Sequence, residues 1–281
     1  MENSKSDSTL AAHRPDVAEA SRIYFLPNLF TAGNLFFGFL AIIRCIQAKY
    51  VAADNFIAKQ NYEQAVLFIF LACICDVLDG RVARMGGKAS IFGIEFDSMA
   101  DVVSFGVAPA LMVFFLILSP TEGYPFFQQV GWIIGFIYLL CAAVRLARFN
   151  VITSPLLTPA DHTVGSDDFK GMPVPAAAGV IVSLVLLLNN FDLREASVIL
   201  PVLMLLIAWL MVSSVPYPSF KKIDWQTKTR VSTFILAIIF GVLVFIRPDF
   251  TLTGIFLGYT LFGLLRGIKM KLKPKINSTS I

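Results

Sequence analysis

Charge is scarce in this chain: Asp, Glu, Lys and Arg make up 15% of its 281 residues, against 57% hydrophobic ones. An ordinary soluble domain carries roughly 25% charged and 45–50% apolar residues, so this balance, with a mean hydropathy of +0.74, points to a bilayer protein and away from a water-soluble globule. Histidine is nearly missing. His13 and His162 lie in polar stretches with no ligand spacing between them, and no Ser-His-Asp arrangement is visible, which leaves histidine-based metal or nucleophile chemistry without support. The four cysteines, Cys45, Cys73, Cys75 and Cys141, all fall in apolar runs without CxxC spacing and read as packing residues, not a disulfide framework or a zinc site. The first 22 residues have no basic start leading into a short apolar core and a cleavage site, so they do not read as a signal peptide. After Pro15 they fit either a short interfacial helix or a disordered tail.

What the chain does have is apolar runs long enough to cross about 30 Å of hydrocarbon. Eight spans are expected, near 26–47, 64–80, 98–118, 130–149, 173–190, 197–214, 231–247 and 251–267. This topology puts all but five of the 23 Lys and Arg residues on one side, the exceptions being Arg44, Lys49, Lys59, Arg194 and Arg247. The basic side, carrying both termini, should be cytoplasmic. The expected organisation is a polar head (1–22), a membrane core (23–214), a basic loop (215–230), a C-terminal hairpin (231–267) turning at Arg247-Pro248-Asp249-Phe250, and a basic tail (268–281).

Chemistry concentrates between Asp76 and Asp101, in DVLDGRVARMGGKASIFGIEFDSMAD, which joins the second span to the third. Asp76 and Asp79 are three apart and Asp97 and Asp101 four apart, so each pair shares one face of its helix. Packing the two helices together brings four carboxylates to one place. Carboxylates entering a bilayer need partners, and an all-oxygen cluster without His or Cys suits hard divalent ions such as Mg²⁺ or Mn²⁺. Two such ions are natural partners for phosphate chemistry. Gly80 and Ala83 remove bulk beside the acids so that a nucleotide can approach, and Arg84 lies where it can pair with phosphate oxygens. Gly86-Gly87-Lys88 permits a sharp turn, Ser90 offers a hydroxyl, and Gly93 keeps one face open. The competing structural reading has Gly and Ala serving tight helix packing while the acids pair with Arg81, Arg84 and Lys88.

With these residues the chain resembles the CDP-alcohol phosphatidyltransferase family, whose pattern D-x2-D-G-x2-A-R-x8-G-x3-D-x3-D is matched at Asp76, Asp79, Gly80, Ala83, Arg84, Gly93, Asp97 and Asp101. The resemblance implies an all-α integral membrane protein with a six-helix core, plus about two extra C-terminal transmembrane helices here. It also implies a cytoplasm-facing polar cavity holding two metals. By position, Asp76, Asp79 and Asp97 match the ligands of one metal, and Asp76, Asp97 and Asp101 those of the other. Asp101 would double as the base, while Gly80, Arg84 and Ser90 match nucleotide-binding positions. The segments LPNLFTAGNLFFGFLAI (26–42), ADVVSFGVAPA (100–110), RLARFN (145–150) and FKGMPVPAAAG (169–179) are similar to the branch of the family that uses serine as acceptor.

The expected reaction is therefore transfer of a phosphatidyl group from CDP-diacylglycerol to L-serine in a bacterial inner membrane, with those two substrates and the lipid bilayer, and no nucleic acid, as partners. A choline or glycerol 3-phosphate acceptor shares the same aspartates and stays open, as does a homodimer. Arg145 and Arg148, one turn apart, either bind the acceptor's carboxylate or anchor the protein on the cytoplasmic side. Asn34 and Ser104 either line the cavity or bond across helices, and Lys170 is the next candidate cation. From a different class, a divalent metal-ion transporter would also place acids inside the membrane.

Overall fold

The computed structural model describes residues 25–51, 55–85, 91–118, 125–153, 168–191, 195–218, 243 and 246–272. The polar head, most of the basic loop, most of the expected span at 231–247, and the tail beyond 272 lie outside the described residues. Helices α1 (Phe25–Tyr50) and α2 (Asn55–Met85) form an antiparallel pair. Helix α3 (Ile91–Asp101) continues without a break through a π-helical segment (Val102–Val107), α4 (Ala108–Val113) and a second π segment (Phe114–Leu118). Then follow α5 (Pro125–Thr153), strand β1 (Asp168–Lys170), α6 (Val174–Asn190), a 3₁₀ turn (Glu195–Val198), α7 (Ile199–Val212), strand β2 (Pro216–Pro218) and α8 (Pro248–Leu272).

Among the described residues, four helical stretches are long and apolar enough to cross a membrane: Asn28–Tyr50, Phe92–Leu118, Gln129–Ile152 and Pro248–Lys269, with shorter apolar helices at Val174–Asn190 and Ile199–Val212. The outward faces carry large exposed apolar side chains such as Phe36, Phe39, Trp132, Phe136, Leu140 and Trp209. Bare hydrophobic girdles of this kind suit lipid, where helices satisfy their own backbone hydrogen bonds. This is an all-α membrane protein in which the only sheet among the described residues is the three-residue pair β1·β2.

The helices pack on stripes that the sequence spaces regularly. On α1 the buried residues are Thr31, Asn34, Gly38, Ala41, Cys45 and Ala48, separated by alternating three and four positions. On α2 the buried positions Ala58, Tyr62, Ala65, Ile69 and Ala72 follow the same alternation, and its continuation falls on Asp76 and Asp79. That spacing makes an interhelical seam, and its small residues let the backbones approach closely. At its other end the seam is polar: Thr31, Asn34, Asp76 and Asp79. With 31 residues, α2 is about 46 Å long at 1.5 Å per residue, and it extends past the expected span at 64–80 at both ends.

The π segment after Asp101 has a local cause. Pro109 has no N–H to give to the Phe105 carbonyl one turn back, so a regular turn cannot close there. The Ala108 N–H reaches Val103 O instead, five residues back, and the Tyr138 hydroxyl on α5 donates to the freed Phe105 carbonyl at 3.1 Å. Before α6, the FKGMPVP segment is tied to α7. Gly171 N–H donates to Val215 O at 2.9 Å and Met172 N–H to Leu210 O at 3.1 Å. Gly171 has φ +86°, a conformation that disfavours any side chain, and a Cβ there would run into the Met211 carbonyl. Helix α8 closes the molecule against α6, with Thr253 Oγ1 donating to Ser183 O at 3.0 Å and the Phe256 ring lying over Gly179.

Helix α1 lies tight against the π segment at Gly38, where an added Cβ would lie 2.8 Å from Ser104 Cα. We expect Gly38→Ala to destabilise the purified protein by about 1–3 kcal/mol, the usual cost of overpacking a tight contact. Gly254→Ala, with nothing within 4 Å of the new methyl, should be neutral or slightly stabilising. Thermal unfolding in detergent compares the two, and equal melting temperatures would refute the packing assignment.

Candidate active site

The polar end of the α1·α2 seam meets α3, whose Asp97 and Asp101 continue into Ser104 on one face. Asp76 on α2 and Asp97 and Asp101 on α3 each offer one oxygen, and the three oxygens lie within 4.8 Å of one another. Asp79, one turn past Asp76, sits beside this trio at hydrogen-bonding distance from Asp97 and accepts from Thr31 Oγ1 at 3.0 Å. Asn34 Nδ2 donates to Asp101 Oδ1 at 3.0 Å, and the Ser104 hydroxyl donates to the Asn34 carbonyl at 2.9 Å. Of the four acids, Asp79 and Asp101 are buried and Asp76 and Asp97 half-buried.

These residues fit a divalent cation. The donor set is all oxygen, the three carboxylates converge from two helices, and Asp97 Oδ1 is buried with no hydrogen-bond partner among the described residues. The Asn34 side-chain oxygen is likewise buried without a partner, which leaves a further neutral acceptor beside the acids. Asp76, Asp97 and Asp101 could therefore hold a metal ion, with Thr31 and Asn34 orienting the carboxylates from behind.

Gly80 follows Asp79 on α2, and Arg84 lies on its last turn; Ser90, the 86–88 turn and the side chain of Arg84 fall outside the described residues. The two arginines of α5 separate. Arg145 is partly buried, stacks over Phe149 at 5.6 Å, and its charge interacts with those of Asp101 and Asp76. Arg148 donates from Nη1 to the Val212 carbonyl at the end of α7, at 3.5 Å. On the other side of α3, Ser98 donates to Ile94 O and accepts from Asn150 Nδ2 at 2.9 Å, fixing α3 against α5. Ser98 and Asn150 line a mainly apolar groove of about 280 Å³ whose lining includes none of the four aspartates.

Residues 24–216 match the family described as CDP-alcohol phosphatidyltransferase. The chain belongs to that family. Among its relatives, the CDP-diacylglycerol–serine O-phosphatidyltransferase of Helicobacter pylori strain J99 is 38% identical over 258 residues, 91% of this chain and 96% of the relative. That similarity is too long to be contained in residues 24–216. The protein of the same name from Methanocaldococcus jannaschii is 32% identical over 201 residues (72% of this chain, 83% of the relative). The archaetidylserine synthase of Methanothermobacter thermautotrophicus is 33% identical over 195 residues, 69% of each chain. None of these names favours ion transport.

Sequence reasoning passed over Thr31, which it had no reason to separate from other hydroxyls in apolar helices. The usable signal is its placement three residues before Asn34, on one face of an otherwise apolar helix. Because Asn34 holds Asp101, we expect Asn34→Ala to weaken Mn²⁺ binding by about 10–100-fold, as is usual when a group behind a metal ligand is removed. Paramagnetic titration of Mn²⁺ reads this without turnover. Unchanged affinity would reduce the bond to a tie between helices.

Proposed function

We propose that this chain transfers a phosphatidyl group from CDP-diacylglycerol to L-serine, releasing CMP and forming phosphatidylserine. The reading is carried by the convergence of Asp76, Asp97 and Asp101 in a member of this family, and serine is the element common to the relatives' names. The distribution of basic residues supports placing the site and both termini on the cytoplasmic side of a bacterial inner membrane.

In this mechanism Asp101 accepts the proton of the serine hydroxyl, and the resulting oxygen attacks the phosphorus attached to diacylglycerol. The new P–O bond forms as the bond to CMP breaks, and CMP leaves with the electron pair. Asn34 holds Asp101 in position for the proton transfer. Two divalent ions, Mg²⁺ or Mn²⁺, bound by the four aspartates would neutralise the diphosphate and stabilise the attacking and leaving oxygens. Gly80, Arg84 and Ser90 are assigned to the nucleotide, and Arg145 to the acceptor's carboxylate. Its interaction with Asp101 and Asp76 supports that assignment, whereas Arg148 is engaged at the C-terminal end of α7.

Three results are expected with purified protein and CDP-diacylglycerol. Excess EDTA should lower serine-dependent CMP release by at least about 100-fold, and Mg²⁺ or Mn²⁺ should restore it. Full turnover with metal absence verified by elemental analysis would exclude metal-dependent transfer. Asp101→Asn should cut kcat by at least about 100-fold while CDP-diacylglycerol binding changes far less; substantial turnover would remove Asp101 as base. Arg145→Lys, which keeps charge but loses the planar fork, should raise the serine KM by about tenfold or more, and Arg148→Lys should have the smaller effect. Identifying the lipid formed with serine, choline or glycerol 3-phosphate tests the acceptor directly.

A further inference from the structure

Asp101 is the last residue before the π segment, and two consecutive residues of that segment are tied to neighbours on different helices. Ser104 donates to the Asn34 carbonyl of α1 at 2.9 Å, and the Phe105 carbonyl accepts from the Tyr138 hydroxyl of α5 at 3.1 Å. All four of these residues are fully buried. Pro109 brings no N–H to the Phe105 carbonyl, so the hydrogen comes from outside the helix. Helix α5 runs close by: a Cβ on Gly106 would come 3.0 Å from Leu139 Cδ1 and 3.7 Å from the Ala142 Cβ. Phe at position 138 would fill the same space, so packing accounts for the ring of Tyr138, and the freed carbonyl accounts for its hydroxyl. Rotation of the segment about its axis breaks one tie or the other. Each residue of a regular helix advances by about 100°, so closing the segment to an ordinary α turn would swing Ser104 away from Asn34, whose amide holds Asp101 at 3.0 Å. Hydrogen bonds and adjacent residues thus form an unbroken path from Tyr138 through Phe105, Ser104 and Asn34 to Asp101.

We propose that Tyr138 is a positioning residue for the reaction: its hydroxyl holds the π segment in register through the Phe105 carbonyl, which keeps Ser104 on Asn34 and Asp101 in its place beside Asp76 and Asp97. The proposal rests on the assignment of Asp101 as ligand and base given above. Tyr138 acts through the backbone and touches no reacting group. The interrupted helix thereby acquires a role, since π turns recur at functional sites, and here a proline and a tyrosine from a neighbouring helix maintain one directly after the proposed base.

The test uses full-length protein in detergent, with CMP release measured at saturating metal and substrates and Mn²⁺ binding followed by paramagnetic titration without turnover. Tyr138→Phe should lower kcat by about tenfold or more and weaken Mn²⁺ binding by about three- to tenfold, with the KM for each substrate within about twofold of wild type. Thr253→Val is the control. It removes a buried hydroxyl-to-carbonyl bond of the same kind, between α8 and α6, and should lower the melting temperature comparably while kcat and Mn²⁺ affinity hold. Adding Pro109→Ala to Tyr138→Phe restores an N–H to the Phe105 carbonyl from within the helix. The melting temperature should rise while kcat stays low, because that bond closes the ordinary turn; recovery of kcat would overturn the positioning role. Should Tyr138→Phe fail to fold, Ser104→Ala cuts the next link and takes its place with the same expected losses. Wild-type kcat and Mn²⁺ affinity in the folded variant, or equal losses in Thr253→Val, overturn the proposal. Wild-type protein that releases CMP with another alcohol but not with serine overturns the serine reading alone, because neither kcat with that alcohol nor the Mn²⁺ titration depends on serine.

Discussion

Four carboxylates gathered where three helices meet inside a membrane impose the constraint on which the rest of the molecule depends. At an effective dielectric near 20, two unit charges about 5 Å apart repel by roughly 3 kcal/mol, and each buried acid adds its own desolvation cost. Among the described residues Thr31 donates to Asp79, Asn34 donates to Asp101, and Arg145 adds positive charge nearby. The Asp76, Asp97 and Asp101 oxygens face one another, and Asp97 Oδ1 has no hydrogen-bond partner among the described residues. Carboxylate oxygens gathered in this way are suited to receiving positive charge from a bound divalent ion.

Packing delivers that arrangement through one repeating pattern. The same alternation of three and four residues that buries Ala41, Cys45 and Ala48 on α1 also places Thr31 and Asn34, and the one that buries Ala65, Ile69 and Ala72 on α2 also places Asp76 and Asp79. The acids and their donors thus occupy core positions of an interhelical seam, and their geometry is inherited from backbone packing, not from a loop. Gly38 allows the Ser104 backbone close to α1, and Ser104 in turn bonds the carbonyl of the residue that holds Asp101. Stability and site geometry are therefore coupled at this crossing.

The fold class was legible because apolar length and aspartate spacing are one-dimensional signals. The pairing of Asp76 with Asp79 and of Asp97 with Asp101 followed from helical periodicity, and family membership followed from the same eight positions. Other features depend on rotation about a helix axis or on contacts between distant segments. Arg145 and Arg148 are one turn apart and equivalent by sequence, yet one interacts with the acids and the other with the end of α7. Of the two readings of Asn34, the structure shows the bond across helices, its amide donating to Asp101. The π segment was not anticipated: Pro109 falls inside the expected span at 98–118, and it is the Tyr138 hydroxyl from α5, a contact between distant segments, that meets the carbonyl it frees. Nor was the β1·β2 pair, since three-residue strands rich in proline carry no periodicity to read.

The elements divide the labour of the reaction. On the proposed reading, bond making and breaking belong to groups on α1, α2 and α3, which the seam fixes. The cation assigned to the acceptor, Arg145, comes from α5, outside that seam. On that reading a change of Arg145 alters charge beside the acid cluster while leaving the α1·α2 stripe untouched. The costly part, packed like charge, is then held by geometry, and the group that would select the acceptor sits on a separate helix.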